Sequence, residues 1–377
     1  MRGNDQLFTL EPRDALLVRD GRSMNANVGR SLPFPHPSTL AGVVRTRLGQ
    51  GPGGLFDRGR AGALRREVSI AGPLLARLAP DGDTVLDVLA PAPADCVWFV
   101  DDAGRTAGRR LAPRPAEEVV SGALTDLGAG AELCDFAGAA PVGKPTRARP
   151  FWSWKPLLQW LTSPRDGLVP GDVEGVEAFP RELRTHVTID AATGTAEDGA
   201  LFGTESVRLA LERPPPLDGP RVRVFDRFAL LGSWQGPGKL PRGLVPLGGE
   251  RRGAFLEPVF GTAVPSLAAP PEIDKLRAGS RARVVLLTPA LFATGSFPDA
   301  LRGARVVAAK VDRPEVVSGW NFESNAPKPS RRMAAAGSVF WVEVPTDTWA
   351  RDVWLTSVSD DDQDQRDGFG LAVVGVA

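Results

Sequence analysis

The sequence predicts an α+β fold, on three observations. The 42 glycines and 35 prolines in 377 residues cut the chain into many short segments. Most of these segments are rich in Val, Leu, Phe and Trp and bounded by Gly, Pro or Asp, which is the composition of strands. Long stretches with helical periodicity are scarce.

On this basis strands are predicted at Gln6–Glu11, Cys96–Asp101, Thr185–Ile189, Leu201–Leu211, Val222–Leu231, Arg283–Leu287, Val306–Val311, Val339–Val344 and Leu371–Val376. Helices are predicted at Ser38–Leu48, Ala61–Arg66 and Lys155–Thr162, with a short one after Pro298. Before the first helix, Pro33, Pro35 and Pro37 fix φ and push their predecessors into extended conformations. Ser38 or Thr39 then supplies an oxygen to cap the orphan N–H groups. Leu40, Val43, Val44 and Leu48 form one apolar face. Arg45 sits on its flank. Arg47 falls near its middle and must snorkel, pair or meet an anion. Pro156 suits the first turn of the third helix. Asp190 to Gly194 reads as a turn joining two arms of a hairpin. Arg213–Pro220 (RPPPLDGP) reads as a loop between strands able to pair. Acidic Ser359–Asp367 reads as a solvated loop.

Pro265–Pro271 (PSLAAPP) is the best linker and separates residues 1–262 from residues 275–377. Beyond it the order strand, short helix, strand, strand, connection, strand is compatible with a ferredoxin-like unit. Residues 51–80 and 103–142 carry no readable signature and are candidate insertions.

Basic and acidic residues balance at 45 each, which argues against an overall basic polyanion binder while leaving room for a local groove. Only six of the 45 basic residues are lysine. A GC-rich genome accounts for the larger share of that bias; the remainder suits phosphate forks and base stacking. Cys96 and Cys134 form no CxxC pair, so neither zinc nor a disulfide framework is expected, and a cytoplasmic location is natural. The first residues are charged where a signal peptide is apolar, and no apolar run reaches the roughly 20 residues of a membrane helix. No cofactor is expected.

Catalytic chemistry has little to rest on. His36 and His186 are the only histidines, and there is no tyrosine. His36, between two prolines, has two readings: a base held in place, or a group bonded to backbone. Asp360, Asp361, Asp362 and Asp364 lack the spacing of a calcium loop. RNA binding has more support. Arg13, Arg19, Arg22 and Arg30, with Asn25 and Asn27, recur through a turn-rich segment that suits phosphates. The alternative is a charged loop paired with Asp14 and Asp20. Lys328-Pro-Ser330-Arg331-Arg332 follows Trp320 and Phe322, a mixture suited to single-stranded RNA. The alternative there is a core tryptophan beside a solvated loop. Gly368 and Gly370 precede the last strand as a weak phosphate-loop signal. Trp152, Trp154 and Trp160 cluster around a helix start, as core or as a docking patch.

Several segments, in order, carry a resemblance: EPRDALLVRDGR (residues 11–22), SLPFPHPSTLAGVVRTRLG (31–49), HVTIDAATGTAEDGALFGTE (186–205), PLGGERR (246–252), LTPALF (287–292), GWNFESNAPKPSRRMAAAGSVFWVE (319–343) and GFGLAVVG (368–375). Together they resemble the CRISPR-associated RAMP superfamily, most closely the third-subunit family of the type III-B Cmr effector module. The resemblance implies two ferredoxin-like (RRM-like) units with large insertions, spanning residues 1–262 and 275–377. It also implies a thumb-like β-hairpin at residues 186–205, where His186, Leu201 and Phe202 press on guide RNA and an apolar side chain wedges beside the backbone. It implies a noncatalytic subunit that holds the 5′ tag of the CRISPR RNA. That subunit docks on the large polymerase-like subunit and abuts the first backbone RAMP subunit. His36, Ser38, Thr39 and Arg45 join the RNA-binding set. The alternatives are a type III-A counterpart, a RAMP endoribonuclease working through His36, and a scaffold bridging proteins without RNA.

Overall fold

The computed structural model describes residues 5–19, 28–51, 53–82, 84–119, 131–138, 141–147, 149–163, 169–170, 173–213, 224–260, 263–321 and 326–377. Arg22 and Asn25 lie outside them, as does the Asn27 donor. The chain is α+β, dominated by strands, with few and short helices.

Eight strands form its frame. β1 (Gln6–Pro12), β2 (Ser69–Leu78), β3 (Val224–Gln235) and β4 (Gly253–Val259) make the middle of a nine-stranded sheet. Their spatial order is β2–β3–β1–β4, each pair antiparallel. β5 (Arg281–Leu286), β6 (Ala304–Lys310), β7 (Val339–Glu343) and β8 (Leu371–Val376) make the middle of a six-stranded sheet in the order β6–β7–β5–β8, also antiparallel. Each half thus places its second, third, first and fourth strand side by side.

The helices that flank the two main sheets include α1 (Pro37–Leu48), α2 (Ala61–Glu67), α3 (Trp154–Thr162), α4 (Trp349–Val353) and α5 (Asp362–Asp367). Successive residues of β2 face opposite ways. Leu75 joins Phe8, Leu40, Val44 and Leu230 under α1, whereas Leu74 and Ala76 join Val284, Phe340, Val373 and Leu157. The second core takes residues from both sheets.

Three pieces are inserted into this frame. A five-stranded sheet (Cys96–Val100, Thr106–Arg114, Leu133–Phe136, Lys144–Thr146, Val169–Pro170) lies between β2 and β3 in sequence. A first hairpin, Arg181–Ile189 with Ala196–Val207, follows it. A second hairpin, Glu315–Asn321 with Ala326–Met333, joins β6 to β7. The first insertion is clamped by a buried ion pair. Asp95 and Arg283 side chains are 0% and 1% exposed, with Nη1 2.5 Å from Oδ2. Asp95 also accepts from the Trp160 indole, and the Trp160 carbonyl accepts from both Arg283 and Arg110. Arg110 stacks 3.9 Å above the Trp160 ring, and burial together with the neighbouring Arg283 lowers its pKa to about 10.

Several expectations are corrected. The stretch 51–80 is no insertion: β2 sits at the centre of the first sheet. Gly72 and Pro73 disguise it, and the register shift opposite Leu231 and Ser233 takes up one extra residue at this point, the kind of bulge that tolerates proline. No helix follows Pro298. Ala300–Leu301 instead pairs with β6 through a tight turn at Arg302 and Gly303, both with positive φ, the conformation of a two-residue hairpin. The predicted strand Leu201–Leu211 breaks after Val207, and Ala210–Arg213 pairs with β3 in another sheet. Pro265–Pro271 carries no helix or strand, yet it is packed down: Leu267 is buried and its carbonyl accepts from the Trp354 indole. All eight tryptophans whose side chains are described are at most 5% exposed, so the Trp152–Trp154–Trp160 cluster is core. Burial pushes the Cys134 thiol up to about 12 and Cys96 higher still. Both are therefore neutral at pH 8, and a thiol reagent is expected to label neither until denaturant is added. Labelling of native protein at the unfolded rate would contradict this.

Candidate nucleic-acid interface

Two segments nominated independently come together. Val28–Arg30 adds to the first hairpin as a parallel third strand, with Val28, Gly29 and Arg30 opposite Gly203, Thr204 and Glu205. Ser31 N donates to the Glu205 carbonyl, and Leu16 exchanges hydrogen bonds with Val207. Arg19 forms an isolated bridge with Ser31, and the Ser31 hydroxyl accepts from Val18 N at 3.0 Å. Arg181 closes the hairpin base on Glu205 and the Ser31 carbonyl. Arg13, Arg19 and Arg30 are all exposed around this junction. Asp14 is exposed there, and Asp20 lies outside the described residues.

The first hairpin has two unlike faces. Its tip is the expected turn: Asp190 Oδ1 accepts from the N–H groups of Ala192 and Thr193, and Gly194 takes a positive φ. The hydrogen bonds from those amides hold the Asp190 carboxyl below its usual range. Opposed pairs share a face. His186 and Phe202 stack with centroids 5.0 Å apart at 15°. His186 Nε2 also lies 2.8 Å from Thr204 Oγ1 and 3.7 Å from Glu250 Oε1. On the other face Leu183, Val187 and Leu201 are 67%, 43% and 60% exposed.

The loop from Ser31 to His36 then leads to the second hairpin. The helix begins at Pro37, whose preset φ suits the first helical position, so His36 rather than Ser38 or Thr39 occupies the N-cap. Ser38 and Thr39 lie inside the first turn, half-buried, and make no side-chain cap. His36 is buried, with Nε2 3.4 Å from Glu315 of the second hairpin. Arg45 is turned inward to Asp367 and to the carbonyls of Val68 and Arg366. Arg47 resolves its position by pairing with the carbonyls of Pro241 and Arg242.

The expected solvated loop at residues 359–367 instead holds α5 over its last six residues. Asp361 caps it by accepting from Gln363 and Asp364, and Gly368 ends it in the left-handed conformation. Buried Asp364 and Asp367 face inward. Arg331 grips Asp364 with two hydrogen bonds of 2.7 and 2.8 Å, and these raise its pKa. Lys328 Nζ lies 4.0 Å from Asp367. The basic run Lys328–Arg332 is therefore a strand, not a loop. Ser330 and Arg332 are exposed. Trp320 lies in the partner strand, its side chain outside the described residues.

Gly368 and Gly370 are buried and offer no open phosphate loop. The Gly368 carbonyl accepts from Thr288. A Cβ on Gly370 would fall 2.5 Å from Ser359 Oγ at a φ of +74°. Gly370→Ala is expected to cost at least about 2 kcal/mol in a denaturation experiment; an unchanged midpoint would contradict this packing. Among the described residues no helix is long and apolar enough to cross a membrane, and no three His, Cys, Asp or Glu are grouped to hold a metal.

Comparison with curated proteins gives no match. Among solved structures the chain is similar to one chain of the Type III-B Cmr-beta bound to cognate target RNA and AMPPNP, at 15% identity and a TM-score of 0.43, covering 89% of this chain and 86% of that one. A second similar chain, from the Type III-B Cmr-beta bound to cognate target RNA, shows 14% identity and a TM-score of 0.45, with 97% and 96% covered. The family model described as CRISPR-associated protein (Cas_Cmr3) matches residues 8–377. A match over nearly the whole chain settles the family: this protein belongs to the Cas_Cmr3 family of CRISPR-associated proteins, that of the third subunit of the type III-B Cmr module.

Proposed function

We propose that this chain is the noncatalytic subunit of a type III-B effector that holds the 5′ tag of the CRISPR RNA. It docks on the large polymerase-like subunit and beside the first backbone RAMP subunit, in the cytoplasm. One observation carries the reading. Arg13, Arg19 and Arg30 are exposed at the base of the first hairpin, one face of that hairpin is bare and aliphatic, and Ser31–His36 leads from there to Glu315 at the base of the second hairpin. Phosphates pair with the arginines, and Leu201, with Leu183 and Val187 beside it, supplies the wedge against a displaced base.

Each half of the frame supports a ferredoxin-like unit, since second–third–first–fourth is the strand order of that fold. The first half also has α1 in the crossover from β1 to β2. A noncatalytic role fits the histidines: His36 is buried against Glu315, and His186 is held by Thr204 and Phe202.

Crosslinking of bound guide RNA followed by peptide mapping tests the reading. Crosslinks are expected in residues 13–36 and in the hairpin arm 196–207. Crosslinks confined to other surfaces, or none, would contradict it.

A further inference from the structure

We propose that the strand Ala326–Met333 sorts its adjacent arginines into two roles: Arg332 contacts RNA phosphate, and Arg331 is a positioning residue held by α5. The assignment rests on the RNA-binding reading above.

Neighbouring residues of a strand point to opposite faces. Met333 and Val317, on the Arg331 face, are 0% and 4% exposed and pack against Leu291 and Phe369. That face lies on the protein body, and there Arg331, its side chain still 47% exposed, meets buried Asp364. A bulge between Val317 and Gly319 leaves one extra residue in the opposite strand. The extra residue returns Lys328, three positions from Arg331, to the same side, where it reaches toward Asp367. Asp367 also holds Arg45 of α1, so α5 ties the second hairpin and the first helix to one pair of buried carboxylates. His36 and Glu315 fix the other strand of the hairpin.

The outward face carries Val316 opposite Arg332, with Ser330 two residues on. Arg332 is exposed, and its side chain meets no partner among the described residues. An arginine already forked onto a buried carboxylate has its best donors committed, whereas one on the open face has its whole fork free for phosphate. Sequence gives the pair equal standing; the pleat separates them.

Binding of the full chain to guide RNA bearing a repeat-derived 5′ end, measured across salt concentrations, tests this with Arg332→Gln, Arg331→Gln, Asp364→Asn and the Arg331→Gln/Asp364→Asn double variant. Arg332→Gln is expected to weaken binding several-fold, reduce the salt slope by about 0.7, and leave the melting temperature unchanged. Arg331→Gln and Asp364→Asn are each expected to weaken binding while keeping the wild-type slope, with the double variant no worse than either single one. Tighter binding by Asp364→Asn would mean that the carboxylate competes with RNA for Arg331, and would overturn the assignment. So would a reduced slope in Arg331→Gln. Wild-type binding with Arg332→Gln unaffected overturns the assignment alone, whereas a wild-type chain that binds no guide RNA overturns the reading beneath it as well.

Discussion

Asp95→Ala is expected to destabilise the protein by about 3–5 kcal/mol, because it leaves a buried charge without its partner. The melting temperature should fall by on the order of 10 °C. Two features make the effect large. Asp95 is wholly buried, so water cannot replace it. It is also the carboxylate facing Arg283, with Arg110 beside the same indole, so its loss leaves two guanidinium groups confronting each other around Trp160. Replacing both partners, as in Asp95→Ala with Arg283→Met, should recover much of the loss, since no charge then remains unpaired. The consequence reaches past stability. Asp95 precedes the first strand of the inserted sheet and Arg283 lies in β5, so the pair ties an insertion of the first half to the second. A melting temperature within a degree of wild type for Asp95→Ala would show that the clamp is not formed.

The second large effect concerns RNA. Arg19→Glu combined with Arg30→Glu is expected to weaken guide-RNA binding by roughly 10- to 100-fold at moderate salt and to lower the salt slope by about 1.4, the contribution of two single-strand phosphate contacts. Both side chains are exposed, so the fold should survive and the melting temperature should hold. The pair is chosen because the structure, not sequence proximity, puts both at the base of the first hairpin. Undiminished affinity in the double variant would remove this junction from the interface.

Elements with unbroken local patterns were legible in the chain. β1, β3, β5 to β8 and helices α1 to α3 stand where Val, Leu, Phe and Trp runs or helical spacing indicated, within a few residues. β2 was not legible, because Gly72 and Pro73 are breakers in any local reading, and only pairing with β3 makes room for them. α5 failed for the opposite reason. Asp364 and Asp367 look like part of a solvated acidic run until Arg331, Lys328 and Arg45 arrive from distant positions to neutralise them. The signal that was available, an aspartate cap at Asp361 and a glycine seven residues on at Gly368, is the one a short helix leaves.

The site shows the same division. Composition and the turn at Asp190–Gly194 announced the first hairpin, and the arginines before residue 31 announced a basic segment. That Val28–Arg30 would become a strand of the hairpin sheet had no local cue, since the partners are 175 residues apart. Nor could sequence separate paired cations from unpaired ones: Arg45, Arg47 and Arg331 are spent on protein partners, Arg331 while still 47% exposed, whereas the exposed Arg13, Arg19, Arg30 and Arg332 have no side-chain partner among the described residues. His36, attractive as a base between prolines, is a buried helix cap against Glu315.

The most direct test of the central claim is to purify the tagged chain from its native host and sequence the RNA that accompanies it, with mass spectrometry of the bound proteins. Short RNAs sharing one repeat-derived 5′ end, together with a large polymerase-like protein, are the predicted result. Protein partners without such RNA would contradict the guide-holding role and leave a bridging scaffold in its place.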